Sequence, residues 1–589
     1  MKFLSKSLGL LLALTLFAPT LATSEKCHEE EVVKYIQGGA RPGGNGSKKH
    51  PFASLADAES ATWDVLIVLS SPFDLDGGIT LKPGQKLIGD EDPTGIVSTT
   101  QPTITNTGTT HGGNGVVVTG DATIKNIFFN FTSSGGINTN QAKNLMVQNV
   151  RITGFNQNPS LGSSTGIGGL EQNSGETRLE NVIISNPSGK GLAGISEKLV
   201  ANGIHRKLSL CDCEFSQLPV GIDIQLVNPD TSSSVVIENS YFHDFAANGE
   251  GIQSFLFSNN SRQTMLVKGS TFYNVGRGGG NAIALLPHQN SQLELKVDSC
   301  SFQEILVPNT ADGVLVDSFN NSTATICIAN STFTNIGFAI MPTSENSSSI
   351  KTTVEKSIGN NVGSFFIPQV LGGQQMNKLC GNTVTGNIFY DTSTGGPTVE
   401  QSFIEGNVFN GSTGFLIQSP FAGAAWKLLE ISAKDNCFNG GNAPGSIGFK
   451  VQSGNSGAIV IKAHENTFAG FKSDITDGGS SANYLVSKNF WGTPTVACTS
   501  TSMCGKYQVC ENSFCFGPTV TTVGTGFIDA SNPLLSSITC PTNCFDSKLG
   551  TSTPSQTSKF SAEEMLEMIE KKGAKIKARY QQTNVPHVS

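Results

Sequence analysis

The sequence is poor in charged residues and in two of the three aromatic residue types. Only 14% of its residues are Asp, Glu, Lys or Arg, and it contains 3 Trp and 7 Tyr against 35 Phe. Amphipathic helices need more Glu, Lys, Arg and Leu, so the composition disfavours a largely helical fold. Gly is abundant, with 66 residues, and Asn, Ser and Thr crowd the middle of the chain. This mixture favours many short strands joined by tight turns.

The sequence also lacks a cluster of basic residues outside its last predicted helix, and its formal net charge is −8. Nucleic-acid binding normally depends on clustered Lys and Arg, so we expect no nucleic-acid partner. After residue 23 no apolar run approaches the roughly 20 residues that a bilayer-spanning helix needs. We therefore expect no transmembrane segment in the mature chain.

The N-terminus has the features of a Sec-type signal peptide. Lys2 and Lys6 precede an apolar run at 8–17, and Pro19 and a group of small residues follow it. We expect residues 1–22 to be removed during export. The mature protein is then expected to be secreted, either to the extracellular space or to the cell-envelope surface.

The 13 Cys residues of an exported chain indicate disulfide bonds. Six of them fall late in the chain and predict a disulfide-stapled cap. Zinc binding is the alternative to disulfide bonding, but no His lies among these six Cys residues and their spacing lacks paired C-x-x-C motifs. We interpret Cys213, Cys300 and Cys437 as small buried hydrophobes, because they occupy nearly equivalent positions in a repeat. The six late residues are Cys498, Cys504, Cys510, Cys515, Cys540 and Cys544.

One short phrase recurs at intervals of about thirty residues, in which a polar residue, often Asn, stands shortly before a Phe. Such a period predicts an all-β fold, a single-stranded right-handed parallel β-helix. Phe at one station of each coil would stack inside the helix, and Asn at the corner would tolerate left-handed backbone geometry and form a ladder. Antiparallel hairpins would explain the turn residues but not the recurrence. The Phe residues of the phrase are 215, 242, 272, 302, 333, 389, 409, 438, 468 and 490.

A second phrase, Gly-Ile-x-Ile or a close variant, follows each Phe and predicts a second strand, and a third strand is expected ahead of the Asn. If these strands lie in register, the x positions form one outward column. A catalytic groove should collect carboxylates there, whereas this column becomes apolar midway and indicates a covered face or a contact surface. Its predicted members are Asp223, Gln253, Ala284, Leu315, Ala339, Leu416 and Lys450.

A solenoid must close its ends, and the flanking sequence predicts how. Ser54 and Asp57 form a capping box for a short helix to about Ala61, the predicted N-terminal cap. The last helix has one apolar stripe and is expected to be a solvated tail or to mediate self-association or partner contact. The predicted organisation is a signal peptide (1–22), an N-terminal segment with the cap helix (23–62), the β-helix (63–492), a Cys-rich C-terminal cap (493–545), a linker (546–559) and a C-terminal helix (560–583).

The segment 44–58, continuing to the strand at 65–68, resembles the opening of proteins of the pectate-lyase-like superfamily, and 489–492 resembles their closing phrase. The resemblance covers residues from about 40 to 520 and implies a right-handed parallel β-helix. The Phe and Asn phrases also resemble those of bacterial surface β-helix proteins such as the chlamydial polymorphic outer-membrane proteins. The superfamily includes polysaccharide lyases, glycoside hydrolases, pectin esterases and non-catalytic adhesins, so the resemblance implies no single function.

The sequence contains neither an Asp-Asp pair nor a Gly-His-Gly, the phrases that glycoside hydrolysis on this scaffold would show. A calcium-dependent lyase would need clustered acids with a basic residue, for which the best candidates are Asp312 and Asp317, near Lys268 and His288 on neighbouring coils. Scattered acids on turns explain these residues equally well. We predict no cofactor and no metal, with Ca²⁺ implied only if the protein is a lyase.

Two functions are consistent with the sequence. The first is an exported non-enzymatic β-helix for adhesion or interaction, whose partner is a protein or glycan surface. The second is a polysaccharide-active lyase or hydrolase with an unrecognised site. The missing catalytic phrases favour the first.

Overall fold

The computed structural model describes residues 31–90 and most of 101–491, followed by a few short segments up to residue 529. The predicted signal peptide (1–22), linker (546–559) and C-terminal helix (560–583) lie outside the described residues, as does most of the predicted Cys-rich cap. The gaps within 101–491 are 162–163, 277–278, 306–311, 393–397, 412, 419–424, 442–445, 452–455, 472, 478–482, 487–488 and 490.

The chain forms a right-handed parallel β-solenoid of about 13 turns with almost no helix, which confirms the predicted fold class. A typical coil contributes three strands, and each strand pairs in parallel with its counterparts in the coils before and after it. The third predicted strand is therefore present. The three resulting stacks are called here the first, second and third sheets, in the order in which the chain passes through them.

The first sheet consists of Val33–Gln37, Val65–Leu69, Lys86–Gly89, Ala122–Lys125, Asn144–Thr153, Gly175–Ser185, His205–Cys211, Ser232–Glu238, Arg262–Lys268, Gln292–Asp298, Thr323–Ala329, Ser349–Glu355, Gln374–Cys380, Thr398–Glu405, Ala425–Lys434, Ser456–His464, Asn483–Leu485 and Ile528–Asp529. The second sheet consists of Leu75–Asp76, Thr103–Asn106, Phe128–Thr132, the later parts of Asn144–Thr153 and Gly175–Ser185, and then Glu214–Ser216, Tyr241–His243, Thr271–Tyr273, Ser301–Ile305, Thr332–Glu345, Ile358–Phe366, Thr383–Thr385, Val408–Asn410, Cys437–Asn439 and Thr467–Ala469.

The third sheet consists of Ile79–Leu81, Val116–Val118, Ile137–Asn138, Thr165–Glu171, Ala193–Leu199, Val220–Leu226, Glu250–Leu256, Ile283–Pro287, Asp312–Ser318, the later parts of Thr332–Glu345 and Ile358–Phe366, and then Gln369–Leu371, Asn387–Thr392, Thr413–Gln418, Ile447–Val451, Ser473–Asp477 and Val520–Thr522. Val509–Glu511 and Phe514–Phe516 form a separate antiparallel pair, and two 3-10 turns cover Thr110–Gly113 and Pro159–Leu161.

The predicted short helix is present at Leu55–Ser60, and the Ser54 side chain accepts a hydrogen bond from the Asp57 backbone N–H at 3.2 Å. Leu55 and Ala58 are buried, so one face of the helix packs on the core. Its role as the N-terminal cap stays a prediction. Within the described residues, no helix combines the length and apolarity needed to cross a bilayer.

The segment before this helix pairs with the outermost strand, Val33–Gln37. The Tyr35 N–H donates to the Gly46 carbonyl at 2.8 Å, the Phe52 N–H donates to the Tyr35 carbonyl at 2.9 Å, and the Gln37 N–H donates to the Phe52 carbonyl at 3.0 Å. Strands with unpaired edges can pair with other chains, and these hydrogen bonds occupy backbone groups on the free edge of the first sheet.

The interior contains the predicted aromatic stack. Phe215, Phe242, Phe272, Phe302 and Phe333 lie ring on ring, with successive centroids 4.8, 4.7, 5.0 and 4.8 Å apart and planes within 10° of parallel. All five side chains are fully buried. The inter-coil spacing of about 4.8 Å brings equivalent rings into contact, so the repeat of Phe produces the stack directly.

The stack stops at two coils that carry Gly359 and Val384 in place of Phe, and then resumes. In the second part, Phe438 and Phe468 lie 4.8 Å apart, and the Trp491 ring lies 4.6 Å from Phe468. Trp491 therefore extends the stack, and Phe490, the predicted Phe of the last phrase, lies outside the described residues. Phe389 belongs to the third sheet and not to the stack.

Two different positions of the repeat precede the Phe, and the sequence interpretation treated them as one position. They are called here the left-handed station and the inner station. Three residues before the Phe, the backbone is left-handed in coil after coil, with φ between +48° and +65°. Two residues before it lies an inner station whose side chains are at most 2% exposed. The left-handed station holds Asn126, Asn149, Asn181, Asp212, Asn239, Gly269, Ser299, Asn330, Lys356, Gly381, Gly406, Asp435 and Glu465, and the inner station holds Ile127, Val150, Val182, Cys213, Ser240, Ser270, Cys300, Ser331, Ser357, Asn382, Asn407, Asn436, Asn466 and Asn489.

The last five inner residues form the predicted asparagine ladder, but inside the corner and without left-handed geometry. The Asn407 backbone N–H and Nδ2 both donate to Asn436 Oδ1 at 2.9 Å, and the same pattern continues from Asn436 to Asn466. Nδ2 of Asn436 also donates to the carbonyls of Ile404 and Lys434. Each amide is thus satisfied by the coils on both sides, as burial requires.

Cys213 and Cys300 occupy this inner station beside Ser residues, are unpaired and are 2% exposed, so the prediction that they are small buried residues is confirmed. Burial raises the pKa of the Cys213 thiol to about 12 and that of Cys300 to about 11, which leaves both unreactive. Cys437 is buried as well, at 5% exposure, but it lies one residue later in the repeat, in register with Val408 and Thr467.

Replacing Asn436 with Ala should destabilise the C-terminal coils. The change leaves the Asn407 N–H and the Ile404 carbonyl buried without a partner, at a cost of roughly 2–4 kcal/mol. Hydrogen exchange should show lost protection in the first and second sheets around residues 400–440, with the N-terminal coils unaffected. Asn439→Ala is the matched control, since Asn439 is exposed on the same coil and should change stability by less than about 0.5 kcal/mol. Equal protection in both variants would contradict a structural role for the ladder.

Candidate functional site

The outer face of the third sheet presents three columns of side chains across the coils between residues 193 and 345. In Val220–Leu226, Ile222 and Ile224 point into the core, while Asp223 and Gln225 point outward. The paired strand registers then place the outward residues of successive coils on top of one another. The first column is Ser196, Asp223, Gln253, Ala284, Leu315 and Met341, and the second is Lys198, Gln225, Phe255, Leu286, Asp317 and Thr343.

The first column contains Asp223, Gln253, Ala284 and Leu315 in register, as predicted from the sequence, and it corrects the next member. The predicted members Leu416 and Lys450 pair with each other in later coils. Met341, and not Ala339, pairs with Leu315, because the strand Thr332–Glu345 carries Ala339 into the core. The apolar members Ala284, Leu315 and Met341 are only 2–4% exposed although they point away from the core. The middle of this column is therefore a covered face, one of the two predicted alternatives, and not an open groove.

The third column follows directly after the strands and is aromatic. The backbone N–H groups of Phe257, His288 and Phe319 each donate at 3.0 Å to a carbonyl at the end of the third-sheet strand in the preceding coil, so the three residues are equivalent. The His288 ring lies 4.6 Å from Phe319 and 6.2 Å from Phe257, and Phe257 stacks on Phe255 at 5.2 Å. We call Phe255, Phe257, His288 and Phe319 the aromatic cluster.

The aromatic cluster remains partly accessible. Phe255, Phe257 and His288 are half-buried, while Phe319 is 8% exposed. Burial lowers the pKa of His288 to about 4, so its imidazole is neutral at physiological pH and can stack like the neighbouring rings. Sequence reading missed the cluster because it considered His288 only as a basic residue near Asp312 and Asp317. The signal that could have found it is the position of all three residues just beyond an aligned strand.

Three polar residues adjoin the aromatic cluster. Gln225 Nε2 donates to Asp223 Oδ2 at 2.9 Å, and Gln253 Nε2 donates to Asp223 Oδ1 at 3.3 Å. Gln225 pairs in register with Phe255, so this polar triad is continuous with the rings. Burial raises the pKa of Asp223 to about 6, against the hydrogen bonds from the two Gln amides, and Glu250 adds to the rise.

The structure separates the acids and bases that the sequence grouped as candidates. Asp312 and Asp317 begin and nearly end one third-sheet strand, roughly 16 Å apart at 3.3 Å per residue, whereas paired glycosidase carboxylates lie about 5–9.5 Å apart. Both are at most 1% exposed. His288 lies at the Asp317 end, since it stacks on Phe319. Lys268 is exposed at the end of a first-sheet strand, in register with Asp298.

A second group of ionisable residues lies inside the solenoid, where a ligand could not reach it. The Arg206 guanidinium is 3.6 Å from Glu197 and 3.8 Å from Glu171, and all three side chains are at most 3% exposed. Arg206 also donates to the Thr177 hydroxyl at 2.6 Å and to the Lys143 carbonyl at 2.9 Å. Burial raises the pKa of Glu171 to about 7, and it raises that of Glu197 as well, while Arg206 opposes both shifts.

The described residues contain no group of three or more His, Cys, Asp or Glu side chains arranged to hold a metal ion.

The class of protein defined by these features is a parallel β-solenoid with an aromatic and polar outer face. No protein family model and no curated protein sequence matches the chain. A solved structure that it resembles is a mannuronic-acid-specific lyase of polysaccharide lyase family 6 from human gut microbiota, with a TM-score of 0.37, 11% identity, and coverage of 61% of this chain and 86% of that one. Another is a mutant of the family 6 alginate lyase AlyGC, with a TM-score of 0.15, 10% identity, and coverage of 85% and 100% respectively. Likenesses of this strength do not bear on the function of the chain.

The buried cluster of Glu171, Glu197 and Arg206 predicts a pH dependence of stability. Folding raises the pKa of Glu171 from 4.5 to about 7. The protonated carboxyl therefore contributes its full stability below pH 4.5, and this contribution is lost as the pH rises through about 7. We expect Glu197→Gln to leave a one-to-one ion pair and so to raise the melting temperature at pH 8 more than at pH 5.

Arg206→Met is the opposing variant, because it leaves two buried carboxyls without their cation. It should destabilise the protein by roughly 3–5 kcal/mol at pH 8 and by less at pH 5. A Glu197→Gln protein that is less stable than the parent to the same extent at both pH values would show that the second carboxyl is needed for packing or hydrogen bonding and not as a charge.

Proposed function

We propose that this protein is an exported, non-catalytic β-solenoid that binds glycan chains on the outer face of its third sheet. The observation that supports the proposal most directly is the aromatic cluster, which spans three successive coils and is continuous with the triad of Asp223, Gln225 and Gln253. The signal-peptide features at 1–22 support the exported location.

The chemistry of the face suits a sugar better than a purely apolar ligand. Sugar rings have C–H faces that pack on aromatic rings and hydroxyl rims that need hydrogen-bond partners. Phe255, Phe257 and neutral His288 supply partly accessible aromatic surface for the C–H groups. The amides of Gln225 and Gln253, which are only partly buried and are oriented by Asp223, supply donors and acceptors at the margin. Because Phe257, His288 and Phe319 occupy equivalent positions in three successive coils, an extended chain running along the solenoid would pass one ring in each of these coils.

Catalysis is the second candidate, and one observation favours it. Asp223 has a raised pKa and a second carboxyl, Glu250, close enough to influence it, as in many acid–base sites. Against it, Glu250 is 3% exposed and Asp223 is 7% exposed, and Gln amides hold both Asp223 oxygens. A polysaccharide-active enzyme is therefore our alternative and not our first choice.

Removing a ring from the aromatic cluster should weaken glycan binding. We expect Phe257→Ala and His288→Ala each to reduce affinity roughly three- to tenfold, because an aromatic contact contributes about 0.5–1.5 kcal/mol beyond its buried area. The measurement is binding of the mature protein to immobilised polysaccharides, neutral and acidic, by biolayer interferometry.

Tyr273→Ala is the matched control for these two variants. Tyr273 is an outward aromatic residue, 37% exposed, on the second sheet of the same coils. Its loss should leave glycan affinity unchanged. If no polysaccharide binds, or if the three variants bind alike, the third-sheet face is not the glycan site.

The enzymatic alternative predicts turnover that depends on a carboxyl group. The purified protein should be incubated with the same polysaccharides, with and without Ca²⁺, and assayed for new reducing ends and for unsaturated products. We expect no turnover. Cleavage that is abolished by Asp223→Asn would establish an enzyme at the proposed face, and cleavage abolished by Asp312→Ala or Asp317→Ala would place it at the acids predicted from the sequence.

A further inference from the structure

Two shallow grooves cross the outer face of the first sheet, and they differ in charge. One, of about 320 Å³, is lined by residues of both signs, including Asp121, Glu176 and Arg178. The other, of about 420 Å³, has no acidic residue in its lining, although the protein as a whole carries a net charge of −8. We call the second one the basic groove.

The basic groove arises from the order of side-chain lengths in three stacked strands. Ser232 and Ser234 lie in the middle strand, in register with His205 and Lys207 on one side and with Arg262 and Thr264 on the other. The small Ser side chains form the floor, and the longer ones form the walls. All of these residues point outward, because Leu208 and Val235 in the same strands belong to the core.

Hydroxyl and basic groups converge on this floor. His205 Nδ1 lies 2.6 Å from the Ser232 hydroxyl, and the Thr264 hydroxyl donates to Ser234 at 3.3 Å. Arg262 is exposed, and no described carboxylate lies within ion-pair distance of its guanidinium. Two acids border the groove from outside its lining. Glu176 pairs with Lys207 at 2.9 Å, and Glu294 is in register with Thr264 on the next coil.

We propose that the basic groove binds an oxyanion group, a sulfate, phosphate or carboxylate, with the Arg262 guanidinium as its main contact. A guanidinium fork matches two oxygens of such a group, and adjacent hydroxyls of Ser232 and Ser234 can donate to the others. Arg262 contributes most because Lys207 is shared with Glu176 and would have to exchange partners. This site lies on a different sheet from the aromatic cluster and does not depend on the proposed glycan face.

The test is binding of inorganic sulfate, inorganic phosphate and acetate to the mature protein by isothermal titration calorimetry at low ionic strength. Heparin, polygalacturonate and neutral dextran are titrated in parallel, to distinguish a free anion from a sulfate or carboxylate carried on a polymer. We expect at least one oxyanion to bind and its affinity to fall as salt is added, because exposed charges are screened. Arg262→Ala should weaken binding at least fivefold, and Arg262→Lys should fall between the parent and Arg262→Ala.

Lys268→Ala is the matched control, since Lys268 is an exposed base at the other end of the same strand. It should leave binding unchanged, and neither Arg262 variant should shift the melting temperature. The proposal is overturned if no oxyanion binds, if Arg262→Ala binds as well as the parent, or if Lys268→Ala weakens binding equally. Phe257→Ala should retain oxyanion binding, so failure of the glycan proposal would be distinguishable from failure of this one.

Discussion

Parallel pairing of each coil with the next is the constraint on which the rest of this structure depends. It sets a repeat of about 4.8 Å, so every inward side chain lies on its counterpart in two neighbouring coils. Apolar residues satisfy this arrangement by stacking, as the rings of Phe215 to Phe333 do. A polar residue satisfies it only if its donors and acceptors meet those of its neighbours, as in the ladder from Asn382 to Asn489. The fold thus favours residues whose side chains can pack on, or hydrogen-bond to, the same residue type in the next coil.

Buried carboxylates are the residues that cannot pack on an equivalent residue in the next coil. Carboxylates cannot stack on their own kind, and the interior holds them singly or around one cation. Glu171 and Glu197 share Arg206, and burial raises the pKa of both acids. Glu400, held by the Asn377 amide and the Ser402 hydroxyl, has its pKa raised well above the usual value for the same reason. Interior acids with perturbed pKa values are therefore consequences of the architecture here, and the location of a raised pKa on the outer face, as at Asp223, is more informative about function.

Much of the architecture could be predicted because similar side chains recur once per coil, at intervals of about thirty residues. The Phe phrase and the Gly-Ile-x-Ile phrase each mark one strand per coil, and both strands are where the pattern indicated except at Phe389, which lies in a third-sheet strand. Other errors came from positions one residue apart. Asn239 and Asn436 both precede a Phe, yet one is the left-handed turn residue and the other is the inner ladder residue. In a strand, a shift of one residue moves a side chain to the opposite face, so the phrase alone could not assign them. Ala339 was misplaced for a different reason, since Ala339 and Ile340 both face the core and the outward counterpart of Leu315 is Met341, two residues after Ala339.

The candidate sites were harder to predict because they are made by residues of several coils that share a column and not by a motif. Phe257, His288 and Phe319 follow strands that sequence analysis had aligned, but no single coil contains more than part of the cluster. The basic groove likewise requires that Ser232 and Ser234 lie between His205 and Arg262, a relation visible only in the register. Both surfaces occupy the coils between residues 205 and 319, on different sheets around one packed core. Since the close-packed Phe stack fills that core, each face has a rigid support, and a ligand on one face cannot contact the residues of the other. Such a solenoid can therefore present two chemically different surfaces that are selected independently, by changing outward residues alone.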